Sequence, residues 1–232
     1  MDIAAFLQEI CAMPGHSGME SAVACRVAEE FSKYSGDVCI DKLGNVRAVM
    51  GDHGPTVLVC AHMDEVGMIV TGIEDNGFLR IWQMGGIDPR ILPGSEVTVF
   101  GREKLYGVIG AKPIHLLTSE EREKSVPVKD LYIDIGATSR AAAEKLVSLG
   151  DYGVFDSAVV EFGDGLIKAK AIDDRVGCAA LLRLLEDEPP VDTWFCFTVQ
   201  EETGLRGAAS MAFALDPGFA MVLEGTTAAD LA

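Results

Sequence analysis

Positive charge is scarce in this sequence. Lys and Arg number 19 against 36 Asp and Glu, a formal net charge of −17. Binding to a nucleic-acid backbone needs a basic footprint, and adhesion to an anionic membrane needs the same, so the charge argues against both partners. Long apolar runs are missing too. None approaches the roughly 20 residues that cross a bilayer. The opening MDIAAFLQEICAMPG has no basic segment ahead of an apolar one, and it predicts a short amphipathic helix, not a signal peptide. The six cysteines (Cys11, Cys25, Cys39, Cys60, Cys178, Cys196) include no C-x-x-C pair. Four of them sit in apolar stretches and read as small core residues, which suits a reduced, cytoplasmic protein. Stacking surfaces for sugars are few, with two Trp and four Tyr. The chain contains no internal repeat and no low-complexity segment.

What is present is enough apolar material for a substantial core: 49% of 232 residues are hydrophobic, sufficient for one large domain or two smaller ones. Residues 2–12 and 19–34 carry helical spacing, separated by the turn Pro14-Gly15-His16-Ser17-Gly18. Residues 37–50 read as a hairpin broken at Gly44-Asn45. TVLVCA at 56–61 is a short continuous apolar run, the pattern of a strand buried on both faces. From about 69 to 162 the chain turns β-rich. Segments 68–73 and 78–83 flank Glu74-Asp75-Asn76-Gly77, and 97–100 and 104–109 flank Gly101-Arg102-Glu103, two hairpin signals. Residues 119–130 form a charged connector, and a helix is expected over 139–149. The α/β pattern then resumes, with a strand at 166–172, a helix at 174–185, a strand at 193–199, a helix at 205–214 and a strand at 220–223.

Ligand-type side chains follow the strands. TVLVCA runs into His62-Met63-Asp64-Glu65, the 166–172 strand into Asp173-Asp174, WFCFTV into Glu201-Glu202, and AMVL into Glu224. In open α/β sheets ligands bind outside the carboxyl ends of the strands. Four such ends would gather one imidazole and several carboxylates at one point, where the carboxylates repel unless a cation lies between them. A mixed His/Asp/Glu set suits Zn²⁺, Co²⁺ or Mn²⁺ better than Ca²⁺. His62 offers the nitrogen ligand. Asp64 projects to the same side and is placed to accept the other imidazole N–H. Asp173, at a helix start, is placed to bridge two metals. Of the adjacent glutamates, one would ligate while the other acts on a metal-bound water as general base. Each element is weak alone: H-x-D pairs, capping Asp-Asp and solvated Glu-Glu are all common. Their placement at successive buried strand ends is the signal.

AHMDEVG at 61–67, AIDDRVG at 171–177, QEETGLRGA at 200–208 and VLEGTTAADL at 222–231 resemble the M42 family of dimetal aminopeptidases. So do PGHSGME at 14–20, GNV at 44–46, GVIGAKPIHLL at 107–117 and DIGA at 134–137. The resemblance runs end to end. It implies an α/β fold of the zinc-peptidase kind, a mixed sheet flanked by helices, formed by residues 1–68 and 163–232. An inserted β-barrel-like assembly domain would occupy 69–162. It implies release of N-terminal amino acids from peptides, with two divalent ions per intact site, zinc or cobalt first. His62 and Glu224 would hold one ion, Asp173 would bridge, Glu202 would hold the second, Glu201 would be the general base, and Asp64 would orient His62. Asp174 is the other candidate for the bridge. The family takes a further histidine from a C-terminal region beyond Ala232. The resemblance therefore implies a C-terminally incomplete domain whose second metal site lacks that ligand, since His16, His53 and His115 lie outside its position. It also implies self-association, dimer to dodecamer in the family, through the insertion, whose hairpin edges need covering. Two other readings follow from the same residues. One is a non-catalytic remnant that only associates. The other, a glycoside hydrolase, needs carboxyl groups on opposite sides of a sugar, which adjacent glutamates beside an H-x-D fit poorly.

Overall fold

The computed structural model describes residues 2–226. The chain divides into two compact units, residues 1–65 with 158–232, and residues 66–157. The end of the VLEGTTAADL stretch lies outside the described residues.

The first unit opens with helix α1 (Ile3–Ala12), whose start is capped by Asp2 accepting from the Ala5 amide at 3.0 Å. Such a cap satisfies an amide that a helix start otherwise leaves without a partner. Helix α2 (Ser21–Phe31) buries Val23, Val27 and Phe31 at four-residue intervals, one stripe of an amphipathic helix. Phe31 meets Phe197 edge-on, 4.3 Å between ring centres. Strands β1 (Asp37–Ile40) and β2 (Val46–Met50) pair as the antiparallel hairpin expected around Gly44-Asn45, and β3 (Val57–His62) is the buried strand.

The second unit is a closed barrel of six strands, β4 (Gly67–Ile73), β5 (Leu79–Met84), β6 (Glu96–Phe100), β7 (Lys104–Gly110), β8 (Tyr132–Asp134) and β9 (Tyr152–Phe155), in the order β4-β5-β8-β7-β6-β9. Alternation builds it: Leu79 and Ile81 point inward while Trp82 is exposed, and Val97 and Val99 are fully buried. At the β4–β5 turn Gly77 has φ +94°, and a Cβ there would stand 2.5 Å from the Ala137 carbonyl oxygen, so only glycine serves. The charged connector holds a helical turn, α3 (Ser119–Arg122), begun by a Thr118–Glu121 capping box. The helix expected over 139–149 is a single turn, α4 (Arg140–Ala143). Past it the bonding tightens into a turn, with the Leu146 and Val147 amides both on the Ala143 carbonyl at 2.9 Å, and the Leu146 carbonyl accepts from the Arg102 amide at 2.8 Å.

The chain then returns to the first unit. Strands β10 (Val160–Phe162) and β11 (Leu166–Lys168) pair with each other as a separate hairpin. The strand expected to run to residue 172 thus ends at Lys168. Residues 158–162, read from the sequence as part of the insertion, group with this unit because they pair with 166–168. Helix α5 (Ile172–Leu185), strand β12 (Thr193–Thr198), helix α6 (Arg206–Leu215) and strand β13 (Phe219–Val222) follow. The main sheet has the order β1-β2-β12-β3-β13. It is mixed: β12 and β13 run parallel to β3, and β2 runs antiparallel to β12. Alternate residues face opposite layers. Val59, Ala61, Phe195 and Phe197 pack with α1, α2 and α5, whereas Leu58, Cys60 and Cys196 pack with Met211 of α6.

Among the described residues, no helix is long and apolar enough to cross a membrane. All six cysteines are free, and Cys11, Cys60, Cys178 and Cys196 are buried.

Candidate metal centre

Parallel pairing brings the ligand-bearing ends together. Thr198 of β12 is in register with His62, and Val222 of β13 with Cys60, so the chain leaves all three strands at one edge of the sheet. Glu201 and Glu202 lie just past β12, and Glu224 lies two residues past β13. The fourth pair arrives differently from the sequence reading. Asp173 and Asp174 follow no strand but occupy the start of α5, joined by a cis peptide bond.

His62 is 3% exposed and sits at the centre. Its Nε2 faces three carboxylates: Asp173 Oδ1 at 3.3 Å, Glu224 Oε1 at 3.4 Å and Glu201 Oε2 at 3.9 Å. Ligand atoms of His62, Glu201 and Glu202 also lie within 4.8 Å of one another. The opposite nitrogen, Nδ1, is 3.1 Å from the Asp64 carbonyl oxygen and 3.5 Å from its carboxylate Oδ1. The nearest partner is therefore the backbone of Asp64, with the carboxylate just behind it.

Asp174 also has an oxygen within 4.8 Å of ligand atoms of His62 and Glu224. It is fully buried, and both its oxygens already serve the backbone, accepting from the His62 amide at 3.2 Å and the Gly177 amide at 3.1 Å. A Cβ on Gly177 would come within 2.5 Å of both carboxylate oxygens, so a glycine there is what lets the helix start approach Asp174. The Asp173 side chain keeps 57% of its surface. The two aspartates thus differ in availability: Asp173 opens toward Nε2, and Asp174 ties α5 to β3.

The electrostatics describe a site short of positive charge. Burial pushes the Asp174 carboxyl up to about 7, with the Glu224 charge adding to it. Glu224 is raised by burial and by its neighbours Asp173 and Glu201. Burial alone would lower His62, but the Asp64 hydrogen bond and the surrounding carboxylates carry it up to about 9. Asp64 is held below the usual carboxylate range, because hydrogen bonds from His62, Ser17 and the Glu201 amide outweigh its burial. Carboxylates that hold protons against one imidazole are what a divalent cation would relieve. One nitrogen and several carboxylate oxygens form a donor set that fits zinc or a similar borderline metal. The buried cations of this unit are engaged elsewhere: Lys170 Nζ bonds Glu65 Oε1 at 2.7 Å, and Arg175 Nη2 lies 3.5 Å from the same oxygen.

Sequence reasoning named the facing groups and missed those behind them. Asn45, fully buried, accepts from the Val199 amide at 3.0 Å and donates to Ser210 Oγ at 3.1 Å, fastening the end of β12 to α6. Ser17 and Glu20 reach the 200–202 loop and Asp64. The signal was there in the GNV and PGHSGME stretches, but only the fold assigns them partners.

The chain belongs to the M42 glutamyl aminopeptidase family, which matches residues 44–232. It is 32% identical over 228 residues to a lysyl aminopeptidase of Pyrococcus furiosus, covering 96% of this chain and 66% of that one. Among solved structures, the TET aminopeptidase from the marine sediment archaeon Thaumarchaeota archaeon SCGC AB-539-E09 superposes with a TM-score of 0.94 at 36% identity, covering all of this chain and 68% of that one. The TET1 peptidase of Pyrococcus horikoshii, described as assembling into a tetrahedron or a large octahedral shell, gives 0.86 at 36% identity, with 96% and 68% covered. The chain spans about two thirds of the length of these relatives.

Proposed function

We propose that this chain carries the metal-binding and proton-transfer part of an aminopeptidase that releases N-terminal residues from peptides. The observation that carries the reading is the His62 imidazole, with Nε2 turned to three carboxylates at 3.3–3.9 Å and Nδ1 backed by Asp64. In this reading His62, Asp173 and Glu224 hold one ion, and Asp173 and Glu202 hold the other, zinc or cobalt being preferred. Bound there, the ions would supply Lewis-acid polarisation of the scissile carbonyl and a water acidic enough to attack at neutral pH. Glu201 would serve as the general base beside them and return the proton to the leaving amine. Asp64 fixes the orientation of His62. The free cysteines agree with a reducing cytoplasmic location.

Self-association through residues 66–157 belongs to the same proposal, with one change of cause. The barrel closes on itself, β4 pairing with both β5 and β9, so strand edges supply no drive. Exposed apolar side chains do: Trp82, Ile91, Tyr106, Ile114 and Leu116 are each more than half exposed. Light scattering should give a defined stoichiometry above one, and a monomer at every concentration would end that part.

A second reading, association without catalysis, is favoured by one observation: His62 is the one histidine in the ligand clusters among the described residues. Elemental analysis beside hydrolysis of amino-acid p-nitroanilides separates the two. Metal-dependent release of p-nitroaniline supports the first reading. Bound metal without turnover supports the second, and no bound metal ends both metal assignments.

A further inference from the structure

The PGHSGME stretch has no place in the chemistry above, yet its Gly15, His16, Ser17 and Glu20 are buried. Ser17 is 3% exposed and its Oγ donates to Asp64 Oδ2 at 2.5 Å. The same Asp64 carboxylate accepts from the Glu201 amide at 3.0 Å and the Glu202 amide at 3.2 Å, with His62 Nδ1 at 3.5 Å. One buried carboxylate therefore joins the imidazole to the backbone of both glutamates, and Ser17 is the side-chain hydroxyl that fixes it. Glu20, 5% exposed, accepts through Oε1 from the Gly18 amide at 2.8 Å and the Gln200 amide at 3.0 Å. Gln200 has φ +55°, a left-handed conformation that a non-glycine residue holds only when its surroundings impose it. The loop is itself stitched to the segment after His62, through the Gly15 amide to Glu65 Oε1 and the Glu65 amide to the Gly15 carbonyl, both at 3.0 Å.

We propose that residues 14–20 are a positioning brace for the metal centre: Ser17 sets Asp64, Glu20 sets Gln200, and together they fix which way Glu201 and Glu202 point. Neither Ser17 nor Glu20 reaches the Nε2 side of His62, so both act through other residues. The need for a brace follows from the pair itself. Two neighbouring glutamates take different roles only if the backbone at 200–202 holds one orientation, and that backbone belongs to neither β12 nor α6. Partners of this outer kind typically change metal affinity by roughly 10- to 100-fold.

The proposal rests on the metal reading, and the test keeps the two apart. Amide hydrogen exchange is measured by NMR on the metal-free chain, and Co²⁺ affinity is measured by titration. Ser17→Ala should lower protection at the Glu201 and Glu202 amides about tenfold or more and weaken Co²⁺ roughly 10- to 100-fold, while Ser17→Thr, which keeps the hydroxyl, restores both. Leu185→Val, a core change at the far end of α5, serves as a control for general loosening. A Ser17→Ala loss no larger than that of this control overturns the brace, as does unchanged protection at 201 and 202. If Ser17→Ala does not fold, the Glu20 pair decides. Lost protection at Gln200 in Glu20→Ala but not in Glu20→Gln, which keeps Oε1 as acceptor, supports the brace, and equal behaviour overturns it. A parent chain that binds no Co²⁺ but loses protection in Ser17→Ala sinks the metal reading and upholds the brace.

Discussion

In the barrel, residues 66–157, Thr98 is the one buried polar side chain among the described residues. The α/β unit buries His62, Asp64, Glu65, Asp174 and Arg175, together with Ser17, Glu20 and Asn45. The barrel core is Leu, Ile, Val, Met and Ala throughout. Such a core is stabilised by area removed from water and is indifferent to direction. The α/β unit has an apolar core of its own, but at the carboxyl edge of its sheet it buries groups that cost free energy unless each finds a partner. Each of the ion-site residues there has one or more. The difference teaches where side-chain directionality is placed: the interior of one unit is apolar packing inside a backbone ladder, and the other adds a buried polar lattice that fixes the angle of a few side chains.

The largest effect that would test this contrast is on turnover. Glu201→Gln keeps the size of the side chain but removes the carboxylate proposed as the base. The expected loss in p-nitroanilide hydrolysis is roughly 10²- to 10⁴-fold, with metal content nearly unchanged. Glu202→Gln should instead lower metal content at one of the two sites. Full activity in Glu201→Gln, or metal loss equal to that of Glu202→Gln, would show the two roles to be exchanged or shared.

Metal stoichiometry comes next. In the proposed assignment one site draws on His62, Asp173 and Glu224, the other on Asp173 and Glu202. Three protein ligands plus water make an ordinary catalytic zinc site, whereas two carboxylates make a weak one. Equilibrium dialysis should find one ion per chain held tightly, and His62→Ala should lose it. Two tight ions per chain would mean that a further residue completes the second site. Leu79→Ala sharpens the comparison from the other side. Leu79 is fully buried in the barrel core, so its truncation should cost about 2–5 kcal/mol of barrel stability and leave metal affinity within twofold. A large fall in metal affinity would show that the barrel also sets side-chain angles at the site.

How much of this was legible in the sequence divides along the same line. The apolar run of β3, the hairpin at Gly44-Asn45 and the alternation in β4 to β7 were readable because burial leaves a periodic trace. That His62, Asp64, Asp173, Glu201, Glu202 and Glu224 lie together was readable because they follow such runs or open a helix. The stop of α4 was not: the chain past it turns on the Ala143 carbonyl, and its Leu146 carbonyl pairs with Arg102, 44 positions earlier (146 − 102). Nor was the end of β11 at Lys168, where an apolar pattern gives way to a helix start. The parts played by Ser17, Glu20 and Asn45 are of the same kind. A polar side chain carries no period, and its partner is known only when distant segments have met.

The smallest effect concerns pH and needs the metal removed. In the metal-free chain His62 titrates near 9 in the fold against about 6.5 unfolded. A group raised by folding stabilises fully below its unfolded value and loses that contribution as pH climbs through the folded one. Asp174, at about 7 in the fold against 3.8, obeys the same rule, contrary to the usual aspartate. Asp174 therefore loses its contribution between about pH 4 and 7, and His62 loses its own between about 6.5 and 9, so from pH 6 to 9 the metal-free α/β unit becomes less stable chiefly through His62. The 2.5 pH units separating 9 from 6.5 at His62, at about 1.4 kcal/mol each, bound its part at about 3.5 kcal/mol. Asp64, held low, changes only in acid and does not enter this window. Saturating metal replaces the protons and should flatten the slope, so the gain on adding Zn²⁺ grows with pH. The barrel buries no titrating group among the described residues and should show no such trend. Denaturant melts at pH 6, 7.5 and 9, with and without metal, would measure both. A metal-free stability that rises over that window would show that the protons on His62 and Asp174 are not what stands in for the cation.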